Sequence, residues 1–393
     1  MRSCAFAPTT YWANMKIFLT SFYLLTAIFL VIYSYGFVDF NLTLSSHPLV
    51  INFVSFAQSL ALFNRPLSIQ VYLALISALF LAYLGVVTYW SNDKLKYFPW
   101  RPLIILAVLL ALAYPFLSSD VFKYLFTGKI IALYHENPYL YSPDYFVGDL
   151  WLRFMRWVHT PTPYGPVMTA LAVPYYYLGF GKFVPMLYLY KLDQVGWYLL
   201  AVWCIGKLSN TKTAIRNQLY FALNPLVLVE WLVNAHNDAI MISLLLAALH
   251  LLRGGRRALT NTTLLLSIGI KYVTVIALPL LFIKKKFNYS PSTMYYLLCT
   301  LAIAPLLYHY STQYQPWYVT WLLPFAALSG SPFILWTTAA YSLGALLRYI
   351  PYIATGLWVG TPLQFALLTF VPPVLVGLVY NGIYALRSKT NKA

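Results

Sequence analysis

Acidic residues are almost missing from this chain. Nine Asp and Glu occur in 393 residues, and all charged residues together make up 9%, where soluble domains carry about a quarter. So few charges cannot cover a soluble surface, and the scarcity makes the position of each acid informative. Cysteine is scarce too. Cys4, Cys204 and Cys299 are scattered without metal-ligand spacing, which speaks against a disulfide framework and a zinc site. Also missing near the N-terminus is a short apolar segment with a small-residue cleavage site. The first apolar run, 17–37, is therefore read as a retained helix.

What is abundant is apolar sequence, at 61% hydrophobic residues and a mean hydropathy of +0.69. Runs of about 17–25 residues, long enough to cross a bilayer, recur along the whole length. The expected fold is an all-α polytopic membrane protein, a single integral membrane domain over 1–393. The net charge of +17 invites a nucleic-acid reading, but the cations lie in short clusters between apolar runs: "KLKYFPWR" (94–101), "KLSNTKTAIR" (207–216), "RGGRR" (253–257), "KKK" (284–286) and "RSKTNK" (387–392). That is the positive-inside pattern. Membrane lipids are expected partners and nucleic acid is not.

With those clusters in the cytoplasm, the chain threads into about twelve spans: 17–37, 68–90, 102–117, 188–206, 217–233, 239–252, 258–270, 271–283, 291–309, 317–329, 332–348 and 362–385. Segment 47–64, interrupted by Asn52, Ser55, Gln58 and Ser59, either lies in the interface or spans. The threading divides the chain into N-terminal helices (1–117), a large outer loop (118–187) and the remaining bundle (188–393). The apolar piece "VMTALAVPYYYLGF" (167–180) is short for a span and reads as an interfacial or re-entrant helix. Asp93 alone falls on the cytoplasmic side. Asp39, Asp120, Glu136, Asp144, Asp149, Asp193, Glu230 and Asp238 fall outside, so the polar site is expected on the extracytoplasmic face.

Five patches on that face can carry chemistry. "FLSSDVFKYLFTGKII" (116–131) puts Asp120 where a membrane helix would end; it either caps the next helix or serves as a base. "HENPY" (135–139) and "TPYGPV" (162–167) are turn signals, yet His135, Glu136, Asn137, Tyr139 and Tyr164 gather hydrogen-bonding groups on the same loop. In "NPLVLVEWLVNAHNDAIM" (224–241), Glu230, Asn234 and Asp238 share one face if the helix continues. Asn234, His236, Asn237 and Asp238 crowd a turn there, too poor in histidine for zinc, with oxygen-rich divalent binding left open. Lys271 lies in the apolar "LLLSIGIKYVTVIALPLL" at a sharp outer hairpin, where it either snorkels or meets an anion. "QYQPWYVTW" (313–321) with Arg348 adds Gln313, Gln315, Trp317 and Tyr318 to a belt of aromatics, and an Arg fork matches phosphate oxygens. Together these suit a sugar on a lipid phosphate, with aromatic and amide groups holding the sugar and cations holding the phosphate.

At these motifs the chain resembles the GT-C-fold, polyprenyl-phosphate-sugar-dependent glycosyltransferases, such as lipoglycan and GPI-type mannosyltransferases. The carrying patterns are "SSDVFKYLFTGKI", "NPY", "TPYGPV", "NPLVLVEWLVNAHNDAIM" and "QPWYVTWLLP". The resemblance implies a GT-C-like bundle and single-displacement transfer of a sugar, first of all mannose, from a dolichyl- or polyprenyl-phosphate donor to a glycan or lipid-linked acceptor. It implies Asp120 as general base. Lys123, Glu136, Asn137, Tyr139, Tyr164, Asn234, His236, Asp238, Gln315, Trp317 and Tyr318 become substrate-binding candidates, and Lys271 and Arg348 phosphate ligands. No cofactor and no metal are expected. The chain departs from the simplest relatives in carrying about two extra helices ahead of the catalytic loop. The alternatives are a lipid or sugar flippase, an enzyme using a glucose, galactose or pentose donor, and a structural membrane protein.

Overall fold

The computed structural model describes residues 8–38, 47–90, 95, 97–279, 295, 298 and 314–390, and among them every regular element is helical. The N-terminal part comprises α1 (Pro8–Ser34), α2 (Pro48–Leu60), α3 (Arg65–Trp90) and α4 (Trp100–Ala111). The loop region that follows holds α5 (Asp120–Ala132) and α6 (Pro166–Leu178). Then come α7 (Phe183–Leu208), α8 (Ala214–Ala222) and the short α9 (Pro225–Val227), which continues as a π-helical turn, Leu228–Val233. Next are α10 (Asp238–Arg253), α11 (Arg257–Ile270) and a 3₁₀ turn, Tyr272–Ile276. A second 3₁₀ turn, Pro316–Trp321, precedes α12 (Leu323–Ser329), α13 (Pro332–Leu347), α14 (Ile350–Thr355) and α15 (Pro362–Thr390). Much of the proline is explained by this order. Pro48, Pro166, Pro225, Pro316 and Pro332 sit in first turns, where the missing N–H has no helical partner to lose.

Four stretches among the described residues are long and apolar enough to cross a membrane: Ile17–Phe37, Arg65–Thr88, Pro332–Thr355 and Pro362–Ile383. A fifth results if Pro225–Val233 and Asp238–Arg253, which meet at 113°, count as one broken span. The twelve crossings expected from hydropathy are thus not found as twelve long helices. The run at 217–233 divides between the end of α8 and the first arm of the broken pair, Pro225–Val233, and the run at 239–252 lies in the second arm. The run at 258–270 is a helix of 14 residues, about 21 Å long at 1.5 Å per residue against a hydrocarbon core of about 30 Å. The run at 317–329 divides into a 3₁₀ turn and the seven-residue α12. The expected crossing at 291–309 lies outside the described residues apart from two isolated positions, and 271–283 is described only to residue 279. Helix α2 lies within 47–64, and α6 supplies the short helix expected at 167–180.

Helix α15 packs on α13 and turns Leu363, Leu367, Val374, Leu375, Leu378 and Val379 outward. A row of exposed aliphatics that long suits lipid rather than water. The site region is held more tightly. Helix α7 packs against α4, α8 and α10. From its middle the fully buried Lys191 donates to Val233 O (2.7 Å) and Ala113 O, tying the π turn to the chain just past α4. Helices α5 and α6 approach so closely at Gly128 that a Cβ there would lie 2.3 Å from the Ala172 carbonyl oxygen, so this crossing requires glycine.

Candidate functional site

Asp120 is the first residue of α5. Ser119, at the N-cap position, makes no side-chain cap bond, and the Asp120 amide donates to Ser118 Oγ (3.2 Å). The carboxylate is therefore not engaged in capping, although it gains from the positive helix end. Tyr164 hydrogen-bonds it, and its side chain is 13% exposed. Burial pushes its pKa up to about 6; Lys271 pulls it down and Asp238 pushes it up, each by less than burial does.

Behind Asp120 stands the broken helix. The π turn at Leu228–Val233 and the left-handed Ala235 (φ 57°) end the first arm. A non-glycine residue in that region costs about 1–2 kcal/mol, and both features cluster at functional sites. The fully buried His236 stacks on Trp317 with ring centroids 4.0 Å apart. Its Nδ1 lies 3.8 Å from Asp120 Oδ2, and its Nε2 lies 3.4 Å from Glu230 Oε2. Glu230 accepts from Asn234 Nδ2 (2.9 Å) and from the Tyr349 hydroxyl (2.8 Å). Asn234 also accepts from the Leu117 amide (3.3 Å), fastening this arm to the strand of chain ahead of Asp120. Glu230 and Asn234 do lie on one face, joined by their hydrogen bond. Asp238 leaves that face because it opens a new helix, α10.

Asp238 instead forms an ion pair with Lys271, whose Nζ is 3.1 Å from both carboxylate oxygens. Trp321 Nε1 donates to the same carboxylate, and Lys271 lies 5.3 Å from the Tyr318 ring centroid. Helix α11 ends at Ile270 with Lys271 in extended conformation, and the lysine is not a solitary cation.

Asp120 lines a cavity of about 220 Å³ together with Gln315, Trp317, Trp157, Arg156 and Arg348. Arg348 lies over the Phe365 ring (4.5 Å), and its buried Nε has no hydrogen-bond partner among the described residues. Lys123 does not reach this cavity's lining. It donates to Trp157 O (3.1 Å), Thr160 O (2.8 Å) and Thr160 Oγ1 (2.6 Å), bracing the loop that carries Trp157. Burial pushes its pKa down to about 8.

Three candidates from "HENPY" sit apart. Asn137 accepts from the Tyr139 amide (2.9 Å), Tyr139 donates to Tyr164 O (3.0 Å), and the Glu136 amide donates to Ile130 O (3.2 Å). These bonds build the loop, and none of the three residues lines the cavity. Gln313 and Asp39 lie outside the described residues. Lys191 and the arginines Arg65, Arg153 and Arg156 were not singled out by sequence. A lysine within apolar sequence is the signal that pointed to Lys271, and it applies equally to Lys191.

Comparison with known proteins follows the same direction. The family described as "Alpha-(1->6)-mannopyranosyltransferase, N-terminal domain" matches residues 25–284, more than half of the chain. Alpha-(1->6)-mannopyranosyltransferase A of Mycobacterium tuberculosis is 28% identical over 178 residues, 44% of this chain and 34% of the relative. Alpha-(1->6)-mannopyranosyltransferase B of Corynebacterium glutamicum is 26% identical over 155 residues, 37% of this chain and 25% of the relative. The matched stretch thus covers about a third of one relative and a quarter of the other. No solved structure matches.

Proposed function

The chain belongs to the alpha-(1->6)-mannopyranosyltransferase family, and from that premise we propose that it is a multi-pass membrane glycosyltransferase. It moves mannose from a polyprenyl- or dolichyl-phosphate donor to a glycan or lipid-linked acceptor on the extracytoplasmic face. The observation that supports this most is the carboxylate of Asp120 at the start of α5, set in a cavity with two arginines and several aromatics. Asp120 takes the proton of the acceptor hydroxyl as that oxygen attacks the sugar's anomeric carbon from the side opposite the lipid phosphate. The phosphate leaves as an anion, so no general acid is needed, and Arg348 receives the developing charge. Trp317, Trp157 and Gln315, which line the same cavity, hold the sugar in this scheme. No metal ion has a part in this scheme. A flippase built on paired broken helices would need a second break, and the described residues hold one.

The direct test is incubation of the purified protein with radiolabelled polyprenyl-phosphate mannose and an acceptor extract. Mannose is expected in the acceptor fraction. Transfer from a glucose donor alone would overturn the sugar assignment.

Two further results are expected. Because the base form of Asp120 is the active one, the rate should rise with pH through about 6 and level off above it. A pH–rate profile that is flat from 5 to 8 would remove Asp120 from the chemistry. Arg348→Ala should weaken donor use about ten- to a hundredfold, the usual size of a lost charge-assisted bond of about 1.5–3 kcal/mol. Unchanged donor kinetics would place the phosphate elsewhere.

A further inference from the structure

Lys191 has no part in the scheme above, although it is buried close to the site. It stands in the first half of α7, fully shielded, and its Nζ donates to Val233 O (2.7 Å) and to Ala113 O. Both acceptors are carbonyls at helix ends. Val233 is the last residue of the π turn, and Ala113 lies two residues beyond the end of α4. Such carbonyls lack a partner within their own helix, and a lysine side chain can supply one. Here a single nitrogen serves two helix ends.

The segments that leave those two ends carry the site. From Ala113 the chain runs without a helix to Ser119 and then Asp120. From Val233 it runs through Asn234 and the left-handed Ala235 to His236. The two segments thus bring in the carboxylate and the imidazole that face each other at 3.8 Å. Neither has a helical ladder of its own to stiffen it. They are joined midway, where the Leu117 amide donates to Asn234 Oδ1 (3.3 Å), and at their origins through Lys191. A single tie would act as a pivot, whereas two ties fix relative rotation as well as separation. Helix α5, packed on α6, holds Asp120 from its far side. Lys191 is not among the residues lining the cavity of Asp120. Resting on the transferase reading above, we propose that Lys191 is a positioning residue for transfer: by holding Ala113 and Val233 together it sets the Asp120 carboxylate against His236 and toward the cavity.

The test compares Lys191→Met, which keeps the bulk of the side chain and removes both bonds, with Lys191→Arg, which keeps donors. Full-length proteins are assayed in detergent below the melting temperature of each. The single-turnover rate of Lys191→Met should fall about ten- to a hundredfold, the size of loss that a misplacement of about 1 Å brings. Donor KM should stay within about twofold, and Lys191→Arg should recover most of the rate. A second readout needs no turnover. Infrared difference titration of each protein against the same protein with Asp120→Asn isolates the Asp120 carboxyl, whose midpoint burial raises to about 6. With Lys191→Met the midpoint should fall toward 3.8, as the loosened carboxylate reaches water. Lys271, Asp238, Lys123, Tyr164 and His236, which also face Asp120, are the same in both pairs. Where Lys191→Met does not fold, Lys191→Gln, too short to reach both carbonyls, is read by the same criteria. A variant that melts early yet keeps the wild-type rate and midpoint would make Lys191 a purely structural lysine and overturn the proposal. A raised donor KM at an unchanged rate would do the same. Absence of transfer by the wild type would instead sink the transferase reading, and the infrared midpoint would still decide whether Lys191 positions Asp120.

Discussion

Asp120→Asn is expected to fold, to bind donor and to transfer almost no sugar, with a loss of about 10²–10⁴ in rate. Asparagine keeps the size of the side chain and a group that can meet Tyr164, and removes only the proton acceptor. Stability should not suffer. The folded pKa of about 6 lies above the ordinary 3.8. Ionised Asp120 therefore lowers stability as pH rises through the interval between those values, and the neutral amide removes that penalty. Because Ser118 accepts the Asp120 amide and the carboxylate makes no cap bond, Asp120→Ala should also unfold no earlier than wild type at pH 7. The measurement pairs single-turnover transfer with thermal unfolding. Near-normal transfer by Asp120→Asn would move the base to another residue. An early-melting Asp120→Ala would restore the capping role that the sequence left open.

Lys271→Met is expected to fail in a different way, by losing the fold. Its ammonium is the charge partner of Asp238, whose side chain is fully buried while Lys271 is 20% exposed. Removing one member of a buried ion pair leaves the other uncompensated and typically costs about 3–5 kcal/mol. The double variant Lys271→Met, Asp238→Asn leaves no stranded charge and should recover most of the melting temperature. A phosphate-binding lysine would behave otherwise. Its loss would leave stability intact and raise the donor KM. Melting of Lys271→Met at the wild-type temperature would reject the structural role.

The difference between Lys271 and Asp120 shows how far residue patterns reach. Asp120 was legible because its setting is local: an apolar run ends, a helix begins, and an acid stands at the junction. Tyr164, Asn234, His236 and Trp317 were legible as polar or aromatic groups in otherwise apolar surroundings, and the fold brings them around Asp120. The partner of Lys271 was not legible, because Asp238 reaches it through tertiary packing across 33 positions. Asn137 and Tyr139 bond within their own loop, which their residue types alone did not show. Turn-forming residues carry hydrogen-bonding groups whether or not a substrate is near, and here the loop uses them itself. Arg65, Arg153 and Arg156 went unnoticed because none of them sits in a motif, and only tertiary packing brings Arg65 and Arg156 to the turn at Ile353–Gly356. The helix count suffered similarly. Hydropathy marks two apolar runs and the polar turn between them without showing that they meet at 113°, as a broken span can.

The π turn at Leu228–Val233 also fixes an orientation. Each residue of an α-helix turns the chain by about 100°, and a π turn accommodates one residue more than the regular ladder would. Everything after Val233 is therefore phased relative to Glu230 by that single surplus residue. Shortened by one, the arm would wind regularly, and Asn234 and His236 would swing about a quarter-circle away from Glu230 and Asp120. The bearing of the imidazole toward the carboxylate is thus written as a count of residues in an apolar stretch, where neither polarity nor charge records it.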